Sequence, residues 1–146
     1  MAALVFGEHV RRHGLTDRVE VASAGTGPLI EGAPLHPDAA VLLAKRGYPA
    51  EHRAARVGPV DLESDLLVAL AGGHRCVLHQ LVADPEQRIR LLRSFDPATG
   101  DDQDVPDPIL GGPDAYLRTL DLIEAAVPGL LAWTTQRLAA TTAGPA

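Results

Sequence analysis

Asp65-Leu66-Leu67-Val68-Ala69-Leu70-Ala71-Gly72-Gly73 is the stretch that decides the fold. Leu66 to Leu70 is an unbroken apolar run with no polar residue at alternate positions, the pattern of a strand covered on both faces in a parallel sheet. Beyond the glycines, Val77, Leu78, Leu81 and Val82 recur at helical spacing, so His74 to Val82 is expected to be a helix. Ile89 to Leu92 follows as the last strand. On the amino-terminal side, Val19 to Ala24 reads as a short β-branched strand ending at Gly25, where a turn or a close backbone approach is expected. Pro37 opens a helix through Arg46, with Asp38 in its first turn and Gly47 as its stop. Residues 1 to 14 read as an amphipathic helix with Leu4, Val5, Phe6 and Val10 on one side and Gly14 at its end. Ala115 to Leu138 is a long final helix with Pro128 as a kink point. Strands separated by helices, with no hairpin signal, argue for an α/β fold: an open parallel sheet with helices on both faces. One domain is expected over residues 1–138, with 139–146 as a flexible tail.

The composition narrows the function. A chain of 146 residues has room for one core, and 46% hydrophobic with 22% charged residues suits a globular protein. A net charge of −6 disfavours a nucleic-acid partner held by a basic surface. The single cysteine, Cys76, permits no internal disulfide, and the chain reads as cytoplasmic, with no apolar run of membrane-spanning length. Cys76 lies among helical apolar residues and is expected to be a small buried thiol. The histidines at 9, 13, 36, 52, 74 and 79 are accompanied by no metal-binding spacing; His9 and His13 read as a solvated helix face and His74 as a surface residue. No Gly-x-Ser-x-Gly elbow is present, and Ala22 to Gly27 lacks the dinucleotide spacing. Neither a metal nor a cofactor is expected.

The candidate site centres on Asp104-Val105-Pro106-Asp107-Pro108-Ile109-Leu110-Gly111-Gly112. Two prolines and two glycines make it irregular backbone, and Asp107, flanked by prolines, is biased towards an extended conformation that holds its carboxylate in one direction. A positioned proton donor fits this pattern; so, on composition alone, does an acidic solvated connector beside Asp96, Asp101, Asp102 and Asp104. Ligands of open parallel sheets bind beyond the carboxyl ends of the strands. Ser23, the Ala71 to Gly73 turn and the Phe95 to Gly112 loop all follow strand ends, and are expected to converge on one edge.

Val19-Glu-Val-Ala-Ser-Ala-Gly-Thr26, His52-Arg-Ala-Ala-Arg-Val57, Asp65 to Leu70, Arg93-Ser-Phe-Asp-Pro97 and Asp107-Pro108, in that order and spacing, closely resemble the low-molecular-weight protein tyrosine phosphatases. The resemblance implies two-step phosphoryl transfer. A cysteine thiolate attacks phosphorus, backbone amides and an arginine hold the phosphoryl oxygens, and an aspartic acid protonates the leaving phenolate and then activates water. By this likeness Asp107 is the general acid and base. Ser23 and His52 support the phosphate loop, Ile109 and Leu110 form the pocket wall where the family usually has two aromatics, and Ala71 stands where it usually has an aspartate. The family's nucleophile and arginine match nothing here, since Val82 and not an arginine stands six positions after Cys76. The expectation is therefore a chain that begins after the catalytic loop, with the first, central strand absent and a gap one strand wide between Val19 and Leu66. A phosphotyrosine protein or aryl phosphate is the expected substrate once that segment is present. The other readings are a non-catalytic pseudophosphatase or binding module, and a structural fragment. A thiol-dependent arsenate reductase needs more cysteines than one.

Overall fold

β1, Leu67–Ala69, and β2, Ile89–Leu91, run parallel, with Leu67 opposite Ile89, Val68 opposite Arg90 and Ala69 opposite Leu91. This is a computed structural model, and it describes residues 1–27 and 31–142. Among the described residues six helices surround the pair: α1 (Ala2–Arg12), α2 (Pro37–Lys45), α3 (Pro59–Leu62), α4 (Gly72–His79), α5 (Pro85–Arg88) and α6 (Gly112–Thr142). A 3-10 helix, Leu92–Phe95, continues directly from β2.

The unbroken apolar run has the two-sided burial expected of it, because successive side chains of a strand point to opposite faces. Leu66, Val68 and Leu70 pack on the larger core, built from Val5 of α1, Leu43 of α2, Leu92, Phe95 and the stripe Leu120, Ile123, Val127 and Leu130 of α6. Leu67 and Ala69 face a smaller core with Leu78 of α4, Ile89, Leu91 and the half-buried Val57, Leu62 and Val82. Leu120 and Ile123 are closed off from water, and burying each contributes about 1.5–3 kcal/mol. Helices thus cover both faces of the parallel pair.

Local signals set the helix ends. α1 stops before Gly14, at φ 66°, and α2 before Gly47, at φ 75°, left-handed conformations that glycine adopts without a Cβ penalty. His36 caps α2, its Nδ1 accepting from the Asp38 amide at 3.3 Å. The last helix begins at Gly112, earlier than expected, and passes uninterrupted through Pro128 to Thr142. Residues 139–142, set apart in the sequence as tail, are therefore its last turn, and the Thr142 hydroxyl lies 3.0 Å from Arg18 Nη2. Residues 143–146 lie outside the described residues.

One expected strand does not form. Val19 to Ala24 enters no ladder: the Val19 amide bonds back to the Leu15 carbonyl at 2.9 Å, and Glu20, Ala22, Ser23 and Ala24 are exposed. A strand exists only where a partner meets its amides and carbonyls, and no described residues run beside this stretch to supply one. Its one bridge is at Gly25, the expected close approach, where Gly25 N–H donates to Ala55 O at 2.8 Å and Val57 N–H to Gly25 O at 3.0 Å. The gap foreseen between two strands thus lacks its strand on the Val19 side.

Candidate functional site

At the carboxyl end of β1 the chain turns into α4, and the Asp104–Gly112 loop is fastened there. Val105 N–H donates to Leu70 O at 2.7 Å, and Gly72 N–H donates to Asp104 Oδ1 at 2.7 Å. From the 3-10 helix, Arg93 Nη1 donates to Asp104 O at 2.9 Å. From α6, the Thr119 hydroxyl donates to Pro106 O at 3.1 Å. Val105 is buried in the larger core, while Asp107, two residues on, is exposed. The loop is thus pinned on three sides and presents its central carboxylate to solvent.

Asp107 Oδ1 accepts from the Ile109 amide at 3.1 Å, the side-chain-to-backbone turn typical of aspartate, which fixes the carboxylate's direction, and Oδ2 has no hydrogen bond among the described residues. A second turn, Gly111 N–H to Pro108 O at 2.9 Å, and Gly112 at φ 67° carry the chain into α6. Ile109 and Leu110 stand 55% and 96% exposed, so the expected wall is raised into solvent beside the acid. Below it, buried Tyr116 stacks on the His36 ring, centroids 5.0 Å apart. The Tyr116 hydroxyl is pushed up by burial first, then by the negative charges of Asp38 and Asp107.

Ser23 and His52 are brought together. Ser23 Oγ and His52 Nε2 are 3.4 Å apart, at the long end of a hydrogen bond, and the bridge at Gly25 draws their two segments side by side. His52 is half-buried, and burial, then the charge of the chain's amino terminus, pushes its pKa down, favouring a neutral imidazole. No hydrogen bond or ion pair among the described residues links this pair to Asp107.

Cys76 departs from expectation. It is exposed, lining a cavity of about 440 Å³ with Arg75, His79, Gln80, Glu86 and Ile89 on the outer side of α4. Two residues of helix turn through about 200°, so with Leu78 buried Cys76 must point the other way. Among the described residues no three His, Cys, Asp or Glu side chains are grouped as a metal ion requires. The sequence reading missed Arg93, Asp104, Tyr116, Thr119 and His36 as parts of the site's frame. Arg93 lay within a quoted motif and Asp104 within the quoted loop, whereas the three others carried no signal beyond their place on a helix or at its start.

Across residues 1–142 the chain matches the family of the low molecular weight phosphotyrosine protein phosphatases. It is 44% identical over 140 residues to low molecular weight protein-tyrosine phosphatase A of Mycobacterium tuberculosis, covering 95% of this chain and 85% of that protein. It is 43% identical over 136 residues to the low molecular weight protein-tyrosine-phosphatase of Streptomyces coelicolor, covering 90% and 83%. The structure superposes on the crystal structure of a protein tyrosine phosphatase from Entamoeba histolytica with a TM-score of 0.84 at 25% identity, over 92% of this chain and 88% of that one.

Proposed function

The chain belongs to the low molecular weight phosphotyrosine protein phosphatase family, and from that premise we propose that it serves the hydrolysis of phosphotyrosine in proteins through a cysteinyl-phosphate intermediate, with Asp107 as the general acid and base. The observation that carries this is the Asp107 carboxylate itself. It is exposed at the carboxyl edge of the sheet, oriented by the Ile109 amide, and mounted on a loop anchored to β1, the 3-10 helix and α6. As acid it protonates the leaving phenolate oxygen; as base it then draws a proton from the water that attacks phosphorus. Ser23 and the neutral His52 form the hydrogen-bonded pair that supports the phosphate-binding loop. Ile109 and Leu110 form an aliphatic wall that buries an aryl ring without stacking on it, which gives up about 0.5–1.5 kcal/mol of aromatic pairing. A cytoplasmic location fits the lone free thiol.

Residues 1–146 by themselves do not complete this chemistry. Cys76 is on the outer face of α4 and is followed by Val82 at the position where a phosphate-binding arginine would stand. A non-catalytic pseudophosphatase or binding module that captures a partner without turnover is the second reading, favoured by the almost fully exposed Leu110. Purified residues 1–146 with p-nitrophenyl phosphate should match the buffer blank, and turnover abolished by Cys76→Ser would sink this part of the proposal. When a family segment bearing Cys, five residues and Arg precedes residue 1, turnover should appear, and Asp107→Asn should then slow it by roughly 100-fold or more. No turnover in that fusion would favour the binding module, and an unchanged rate for Asp107→Asn would mean that another group is the acid.

A further inference from the structure

Ala71 is the residue before α4, in extended backbone at φ −151° and ψ 160°, and it has no side-chain oxygen to accept from the helix's first amides. Orphan amides at a helix start are ordinarily satisfied by a Ser, Thr, Asp or Asn at this position. Such a side chain would serve the second or third amide; the first, that of Gly72, is taken from 32 residues away by Asp104 Oδ1 at 2.7 Å. The same residue's carbonyl accepts from Arg93 Nη1, and the next amide, that of Val105, is spent on Leu70 O. Carboxyl-side of Val105 the backbone has few further means of attachment, because Pro106 and Pro108 carry no N–H.

We infer that Asp104 is a positioning residue that caps α4 from outside the helix, at its first amide, and thereby couples the start of α4 to the loop bearing Asp107. The inference depends on the phosphatase reading only in taking Asp107 as the acid. A carboxylate at a helix start gains from the aligned peptide dipoles as well as from the hydrogen bond. The cap and the acid loop then share one side chain. An aspartate at position 71 would cap the helix without holding the loop, and the present arrangement holds both.

Amide hydrogen exchange on residues 1–146, followed by NMR at Gly72, Val105 and Ile109, tests this without any need for turnover. Loss of the coupling and loss of the phosphatase reading therefore appear in separate measurements. Asp104→Ala should speed exchange at all three amides by about tenfold or more, while Asp104→Asn, which keeps an acceptor oxygen, should stay within about twofold of the parent. Adding Ala71→Asp to Asp104→Ala should restore the helix start, read at the Gly73 and His74 amides that a capping side chain at 71 reaches, and leave Gly72, Val105 and Ile109 fast. Restoration at all three would show that Asp104 acts only through helix stability, and unchanged rates at Val105 and Ile109 in Asp104→Ala would remove the coupling altogether. If Asp104→Ala does not fold, Gly72→Pro serves: proline suits the first position of a helix and carries no N–H, so it removes the bond to Asp104 from the helix side and should release Val105 and Ile109, and a Val105 amide as slow as in the parent overturns the inference.

Discussion

Replacing Gly129 by alanine tests how α6 sits on the rest of the molecule. A Cβ built at Gly129 lies 2.9 Å from the Phe95 carbonyl carbon and 3.3 Å from its Cβ, and nearer still to the carbonyl oxygen. Carbon atoms in ordinary contact are about 3.5–4.0 Å apart, so α6 and the 3-10 helix would have to separate by at least ~0.6 Å. Neither side yields easily, since the obstacle is backbone and the neighbours Val127, Leu130, Leu92 and Phe95 are all buried. Overpacking of this kind costs about 1–3 kcal/mol, and contact with backbone places it near the upper end. Exchanging glycine for alanine inside a helix returns about 1 kcal/mol, leaving a net loss of about 2 kcal/mol. With a urea slope of about 1–3 kcal/mol/M the unfolding midpoint falls by roughly 1 M. Trp133, the only tryptophan, has its ring 6.3 Å from that of Phe95, so its fluorescence reports on this contact. Gly7→Ala in α1 is the control: its Cβ meets nothing within 4 Å, and it should stabilise by about 0.5–1 kcal/mol. If Gly129→Ala raises the midpoint as Gly7→Ala does, the close approach of Phe95 to α6 is wrong, and with it the placement of the helix that carries Arg93.

Two predictions concern titrating groups. Glu8 is held at about 2, against an ordinary 4.5, chiefly by hydrogen bonds from Arg11 and then Arg12. Its depressed pKa stabilises the fold fully above pH 4.5, and that contribution is lost as pH falls towards 2, so Glu8→Gln should flatten the fall of Tm across this window; an equally steep fall in the variant would refute the pairing. His52, pushed down by burial, should titrate below 6.5 by NMR while costing stability as pH falls through 6.5, and a titration at or above 6.5 would contradict its neutral role beside Ser23.

The parts of the fold that were legible in the sequence are those fixed by local pattern. The run Leu66 to Leu70 announced a strand buried on both faces, and alternate residues of it do enter the two cores. Gly14, Gly47 and Pro37 marked helix ends, and each acts through its own backbone. What was misread depended on a neighbour. Val19 to Ala24 has strand propensity, but propensity without a ladder partner leaves extended chain. Cys76 has apolar neighbours along the sequence, but a helix turns two residues apart to opposite sides, so burial of Leu78 says the reverse about Cys76. The family resemblance singled out Asp107, Ser23 and His52, and the structure brings the last two within 3.4 Å, a pairing across 29 residues that no local pattern encodes.

The Asp104–Gly112 loop shows why proline-rich segments are hard to place from sequence and yet sharply placed in the fold. Flanking prolines narrow the conformations open to Asp107 and also strip the loop of amides with which to bind its surroundings. Its position then rests on a few long-range bonds: Asp104 Oδ1 with Gly72, Val105 with Leu70, Asp104 O with Arg93 and Pro106 O with Thr119. Each joins the loop to a different element, so none is legible from the loop's own residues. Few anchors also mean high sensitivity. Where a ladder strand loses one of several equivalent bonds, this loop loses a whole direction of restraint with each partner removed. A general acid must lie within hydrogen-bonding reach of the oxygen it protonates, about 2.6–3.2 Å. If Asp107 is the acid as proposed, residues at the end of β1, the start of α4 and the second turn of α6 set whether it meets that requirement.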